Sequence, residues 1–214
     1  MKVDIVISGV GGQGAVMASR ALARVGMESG LAVRTSEVIG MAQREGPVTT
    51  HVRLGDELYG AVIPDQGADF LLGLELAETV RALPKLKPGG TVITSCSTIV
   101  PVSVQLGLST YDREALAGHL KKEAGKVVFL DVDELSRTAG NPRTGNVIIL
   151  GALSTRPGLP FRPDQLLRAV LEMVGEKLRD INTRAFETGR LAMEAALTGE
   201  GRSAPPPGPV VVAP

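Results

Sequence analysis

Gly9-Val10-Gly11-Gly12-Gln13-Gly14 is the stretch of this sequence best suited to hold a ligand. It follows an apolar, strand-like run, Val3-Asp4-Ile5-Val6-Ile7-Ser8, and precedes a helix-like run from Ala15 to Met27. Between a strand and a helix, a glycine-rich turn brings bare backbone close to an anion and aims the first N–H groups of the helix at it. Two readings stand: a phosphate or nucleotide-like group held at the strand end, or a tight turn that holds nothing. Glu37 closes the second strand at loosely the distance where a dinucleotide fold places its ribose-binding acid. It reads equally as a strand-end anchor for the following loop. Gln43-Arg44 lies in a loop bounded by Gly40 and Pro47. The planar donor fork of Arg44 suits a phosphate or carboxylate held by the glycine loop, or it is simply solvated. The candidate cofactor-binding set is therefore Gly9, Gly11, Gly12, Gln13, Gly14, Glu37 and Arg44.

No catalytic residue and no metal ligand set emerges beside these. His51 and His119 are the only histidines, and neither stands with an acid in a catalytic pattern. No lysine follows Gly14 as a P-loop requires, and no Gly-x-Ser-x-Gly elbow is present. Gly55-Asp56-Glu57 lacks the second glycine of a thiamine diphosphate motif. The single cysteine, Cys96, excludes a disulfide framework, an iron–sulfur cluster or a multi-thiolate metal site built within the chain. Cys96 itself reads as inert packing after a buried strand.

Lysine plus arginine and aspartate plus glutamate each number 23, so the formal net charge is zero. That balance argues against a general nucleic-acid or membrane-surface binder. Met1-Lys2-Val3-Asp4 leads straight into a strand, and no apolar run is long enough to span a bilayer. A cytoplasmic protein is the expectation.

The elements that must position the loop read as an α/β fold. We expect a three-layer, Rossmann-like, mostly parallel sheet with an antiparallel hairpin and C-terminal helices. Val3–Ser8 is nearly all apolar and reads as a central strand covered on both faces. Ala18, Ala21, Leu22 and Val25 form the inner face of the helix that follows. Leu31–Ser36 returns as a parallel strand. Val48–Leu54 alternates strictly, with Thr49, His51 and Arg53 on one face. That polar face reads as solvated, or as a subunit interface or the rim of a site. Gly55-Asp56-Glu57 reads as a turn into a hairpin strand at Leu58–Ile63. Strands follow at Ala68–Leu74, Thr91–Ser95 and Lys126–Asp131. Helices are expected at Glu75–Leu83, Asp112–Ala124, Asp133–Ala139, Asn146–Leu153, Asp164–Val174 and Asp180–Leu197. Ala185, Gly189, Ala192 and Ala196 give the last a narrow small-residue seam. The folded domain thus spans 1–198. Residues 199–214, with Pro205-Pro206-Pro207, read as a disordered proline-rich tail.

Taken together, these residues resemble the gamma subunit or gamma domain of 2-oxoacid:ferredoxin oxidoreductases. The likeness rests on the glycine loop running into Ala18-Ser19, and on Ser36-Glu37-Val38-Ile39-Gly40 leading to Gln43-Arg44. It continues through His51-Val52-Arg53, Asp69-Phe70-Leu71-Leu72, Asn146 with Leu150-Gly151-Ala152, and Asn182 with Ala185-Phe186 and Gly189. It covers about residues 3 to 197 and is nearest to the indolepyruvate branch, whose beta subunit is a stand-alone gamma domain. Where the family has Gln-Arg-Gly-Gly or similar, this chain has Gln43-Arg44-Glu45-Gly46-Pro47. The acid at Glu45 works against an anionic ligand, and Pro47 stiffens the exit.

The resemblance implies an accessory subunit. Thiamine diphosphate and iron–sulfur clusters would sit on a catalytic alpha subunit. The complex would decarboxylate a 2-oxoacid such as indolepyruvate, pass electrons to ferredoxin and form an acyl-CoA. The gamma domain is associated with the coenzyme A side of that reaction, so the Gly11–Gly14 amides and Arg44 are expected to help hold coenzyme A phosphates near the partner's active site, with no other cofactor expected on this chain. Two alternatives remain from the residues alone: a stand-alone NAD- or FAD-binding oxidoreductase domain, and a scaffold with an empty glycine loop.

Overall fold

The computed structural model of the chain describes residues 1–39, 46–108 and 110–198. Gln43, Arg44 and Glu45, and the proline-rich tail, lie outside the described residues. The strands are β1 (Lys2–Val10), β2 (Ala32–Ile39), β3 (Pro47–Gly55), β4 (Ala68–Gly73), β5 (Leu86–Ser95) and β6 (Val127–Leu130). The helices are α1 (Ala15–Glu28), α2 (Leu76–Ala82), α3 (Val102–Gln105), α4 (Arg113–Ala124), α5 (Val132–Ala139), α6 (Gly145–Ser154), α7 (Pro163–Met173) and α8 (Arg179–Thr198). Only the short α3 had no counterpart in the sequence pattern.

The six strands form one sheet in the order β2-β3-β1-β4-β5-β6. β1, β4, β5 and β6 are parallel neighbours, and β3 runs antiparallel to both β1 and β2. β1 and β2 therefore point the same way, as a strand–helix–strand unit requires, but β3 is inserted between them. The mostly parallel α/β sheet expected from the sequence is present, and its hairpin is β2–β3.

The hairpin strand expected at Leu58–Ile63 is absent, and the reason is topological. Both edges of β3 are already paired, one to β1 and one to β2, so a further strand has no ladder to join. Residues 56–67 instead cross one face of the sheet without regular structure. Ile63 packs there against Val6, Ala68 and Leu71.

That crossing segment also overturns the solvated reading of the polar face on β3. His51 is 2% and Arg53 9% exposed. Arg53 forms a bidentate pair with Asp4, its cross-strand neighbour on β1 (Nε to Oδ1 2.9 Å, Nη2 to Oδ2 3.1 Å). Its Nη1 donates to the carbonyl of Gly60 at 3.0 Å. The backbone N–H of Ile63 donates to Nδ1 of His51 at 3.3 Å. Burial, then the nearby charges of Lys85 and Arg53, hold the His51 pKa below its ordinary 6.5. The folded state thus binds fewer protons here than the unfolded chain, and stability falls as pH drops below 6.5. In His51→Gln this part of the loss should vanish. Urea midpoints of both proteins at pH 7.5 and 5.5 test this, and equal pH sensitivity would count against it.

The opposite face carries the main core. Val3, Ile5 and Ile7 of β1 with Val48, Val52 and Leu54 of β3 meet α1, α6, α7 and α8. The small inner face of α1 is as expected: Ala18, Ala21, Leu22 and Val25 are all buried. α6 is buried all round, because it is enclosed by the sheet, α7 and α8. Ala185 and Gly189 of the expected seam are buried, but the contact stripe of α8 then turns through Phe186 and Met193 rather than Ala196.

Candidate functional site

The carboxyl ends of β1, β4, β5 and β6 lie along one edge of the sheet, where ligands of open α/β folds bind. The glycine loop sits at the centre of that edge. Gly12 has φ +96° and Gly14 has φ +85°, backbone that a side chain would strain. Gly9 is a glycine for a different reason: a Cβ there would stand 2.8 Å from Oε1 of Gln13 and 2.9 Å from Cβ of Leu74.

Gln13 fastens this loop. Its Oε1 accepts the N–H of Val10 at 2.8 Å and its Nε2 donates to the carbonyl of Leu74 at 2.9 Å, joining the ends of β1 and β4. The N–H groups of Gly11 and Gln13 are also used within the protein, by the carbonyls of Gly46 and Val10. Those of Gly12, Gly14 and Ala15 meet no acceptor among the described residues. Gly14 caps α1 with no side chain, so among the described residues no side chain caps the first turn of that helix, where an anion is favoured.

Glu37 does not join the loop. It is exposed on the edge strand β2, in register with Thr50 of β3, which is in register with Ile7 of β1. Two strand spacings, about 10 Å, therefore separate it from β1. A dinucleotide fold needs that acid on the strand beside β1, and here β3 occupies the place. Arg44 cannot be placed, since it lies outside the described residues.

Residues absent from the sequence-based set also line the site. Gly12 and Gln13 border a cavity of about 160 Å³ together with Ser97, Ser136, Arg143 and Asn146. Asn146, already noted in the sequence pattern, starts α6 and donates from Nδ2 to the carbonyl of Gly14 at 3.2 Å. That bond ties the start of α6 to the start of α1. Ser136 and Arg143 gave no signal beyond the Asn141-Pro142-Arg143-Thr144-Gly145 turn ahead of an apolar helix. Their place depends on how α5 and α6 meet.

Neighbouring titratable groups are structural. Glu75 caps α2 by accepting the N–H of Glu78 at 2.9 Å, and accepts the hydroxyl of Tyr111 at 2.5 Å. Burial and the Glu75 carboxylate push the Tyr111 pKa up, so its hydroxyl remains a donor. Burial raises the Cys96 thiol to about 12. Iodoacetamide should therefore leave Cys96 of the native chain unlabelled at pH 8 and alkylate it only in urea. Rapid labelling of the native chain would contradict this. Among the described residues no three His, Cys, Asp or Glu side chains are placed to hold a metal, and no helix is long and apolar enough to cross a membrane.

Known proteins place this architecture. The family model for pyruvate ferredoxin/flavodoxin oxidoreductase matches residues 4–192. The indolepyruvate oxidoreductase subunit IorB of Thermococcus kodakarensis is 40% identical over 196 residues, 91% of this chain and 97% of that protein. The keto/oxoacid ferredoxin oxidoreductase gamma subunit of Geobacter sulfurreducens shares the fold at TM-score 0.67 and 22% identity, covering 92% of this chain and 98% of that one. The 2-oxoglutarate:ferredoxin oxidoreductase of Magnetococcus marinus, solved with 2-oxoglutarate, coenzyme A and succinyl-CoA bound, shares it at TM-score 0.66 and 18% identity; the match covers 91% of this chain and 31% of that one. The chain belongs to the pyruvate ferredoxin/flavodoxin oxidoreductase family, as a gamma- or IorB-type subunit of a 2-oxoacid:ferredoxin oxidoreductase.

Proposed function

We propose that this chain is the accessory subunit of an indolepyruvate:ferredoxin oxidoreductase and that its glycine loop holds phosphate groups of coenzyme A beside the partner's active site. The substrate reading is carried by the 40% identity to an indolepyruvate oxidoreductase subunit across 97% of its length. Another aryl-pyruvate fits the same argument. In this reading a catalytic alpha subunit carries thiamine diphosphate and the iron–sulfur clusters, for which this chain, with one buried cysteine, has no ligands. Electrons leave to ferredoxin through that partner, and the acyl group leaves on coenzyme A. A cytoplasmic location goes with such a complex.

The N–H groups of Gly12, Gly14 and Ala15, which meet no acceptor among the described residues, support the coenzyme A placement. They suit a phosphate without any side-chain charge. Arg44, from the loop after β2, would add a guanidinium to them. The cavity, at about 160 Å³, is far too small for a whole cofactor, whose remaining parts would lie across its mouth and on the partner. The bound coenzyme A of the Magnetococcus marinus enzyme is consistent with such chemistry in a complex of this fold. A free-standing NAD- or FAD-binding domain is disfavoured, because β3 keeps Glu37 away from the loop.

The test is anoxic co-purification with the large subunit, followed by assay with indolepyruvate, coenzyme A and ferredoxin. Arg44→Ala should raise the KM for coenzyme A about tenfold, the loss of one charge-assisted contact, with kcat little changed. An unchanged KM would remove Arg44 from the site. An unchanged KM in Gly14→Ala as well would leave the loop as scaffold.

A further inference from the structure

Three helices that start at or near the ligand edge of the sheet are capped by carboxylates: Glu75 on α2, Asp112 on α4 and Asp131 on α5. α1 and α6 have no side-chain cap. Thr144, in the cap position of α6, instead donates its hydroxyl to the carbonyl of Asn141 at 2.8 Å. The N–H groups of Gly145 and Asn146 meet no acceptor among the described residues. The start of α6, through Gly145 and Asn146, and the glycine loop ahead of α1, through Gly12 and Gln13, both line the cavity of about 160 Å³.

An independent observation comes from α5. Ser136 lines the same cavity, is 1% exposed, and its hydroxyl has no hydrogen-bond partner among the described residues. A buried hydroxyl left without a partner is a cost to the empty fold that a ligand oxygen would cancel. Arg143, exposed at the cavity, makes no ion pair among the described residues. Asp133, also exposed, is the one carboxylate on the lining and opposes an anion.

We infer that this cavity seats one phosphoryl group, with the Ser136 hydroxyl and the first N–H groups of α6 as donors and Arg143 as counter-charge. The volume admits one such group with little else, so a larger molecule enters by a single terminal phosphate. Inorganic phosphate and the 3′-phosphate of coenzyme A share that chemistry. Only the second source rests on the function proposed above.

Amide NMR of the full-length chain, titrated with inorganic phosphate, tests the seat. Shifts should concentrate on Gly12, Ser136, Gly145 and Asn146. Ser136→Ala should weaken phosphate about tenfold without lowering the urea midpoint, since it removes a hydroxyl that the empty fold leaves unpaired. Asp133→Asn should tighten it. Shifts elsewhere, or an affinity unchanged in Ser136→Ala, would overturn the seat. Coenzyme A and dephospho-coenzyme A then separate the sources. Displacement of phosphate by the first alone supports the 3′-phosphate as occupant. If neither displaces it, the seat stands as a site for free phosphate, and the coenzyme A placement fails.

Discussion

Arg53→Ala should lower the folding stability of the chain by about 3–5 kcal/mol, the loss seen when one partner of a buried ion pair is removed. The size follows from what is left behind. Asp4 is 0% exposed on a central strand, and both its carboxylate oxygens are held by the Arg53 guanidinium. Lys2 also reaches Oδ2, at 2.8 Å, but its side chain is half exposed and cannot replace a planar bidentate donor. Losing the guanidinium also frees the Gly60 carbonyl and so loosens the segment that crosses the sheet. If this account is right, Asp4→Leu combined with Arg53→Met should recover most of the loss, because an apolar pair leaves no charge buried. Urea denaturation of the parent and the two variants measures it. A loss under about 1 kcal/mol in Arg53→Ala would mean that the pair behaves as an exposed one.

The same pair shows where the amino-acid pattern stops being legible. Val48–Leu54 alternates, so a strand with two faces could be read directly. That β1 lies beside it depends on residues some fifty positions away, and what covers its polar face depends on the route of the irregular segment that follows it. Asp4 and Arg53 are 49 residues apart, and nothing local marks either as buried. A polar strand face is solvated by default, and only the route of residues 56–67 reverses this. β1, the glycine loop and α1 were legible because strand period, turn chemistry and helix period agree within thirty residues. The ligand edge followed from them. Ser136 did not: on α5 it is an ordinary serine of an amphipathic helix, and only the meeting of α1, α5 and α6 leaves it beside a cavity with no partner among the described residues. Glu37 shows the converse. Its distance in sequence suits a ribose-binding acid, while the insertion of β3 puts it a strand too far.

Gly189→Ala should also destabilise the chain, by about 3 kcal/mol, as overpacking of a rigid contact does. The sign is the informative part, since alanine is otherwise the better helix former by about 1 kcal/mol. A Cβ at Gly189 would stand 2.0 Å from the carbonyl oxygen of Ile148, and one at Gly151 would stand 2.1 Å from that of Phe186. Both obstacles are backbone, so α6 and α8 cannot accommodate the methyl group by turning a side chain. They must move apart, and α6 is walled in on its other sides by the sheet and α7. Moving α6 moves Gly145 and Asn146 at its start, and with them the bond from Asn146 to Gly14 that sets the glycine loop against the cavity. A folded Gly189→Ala chain should thus bind phosphate more weakly although residue 189 is remote from the cavity. A urea midpoint equal to or above that of the parent would show that the crossing has slack. A lowered midpoint with unchanged phosphate binding would show that the seat is held by α1 and α5 without α6.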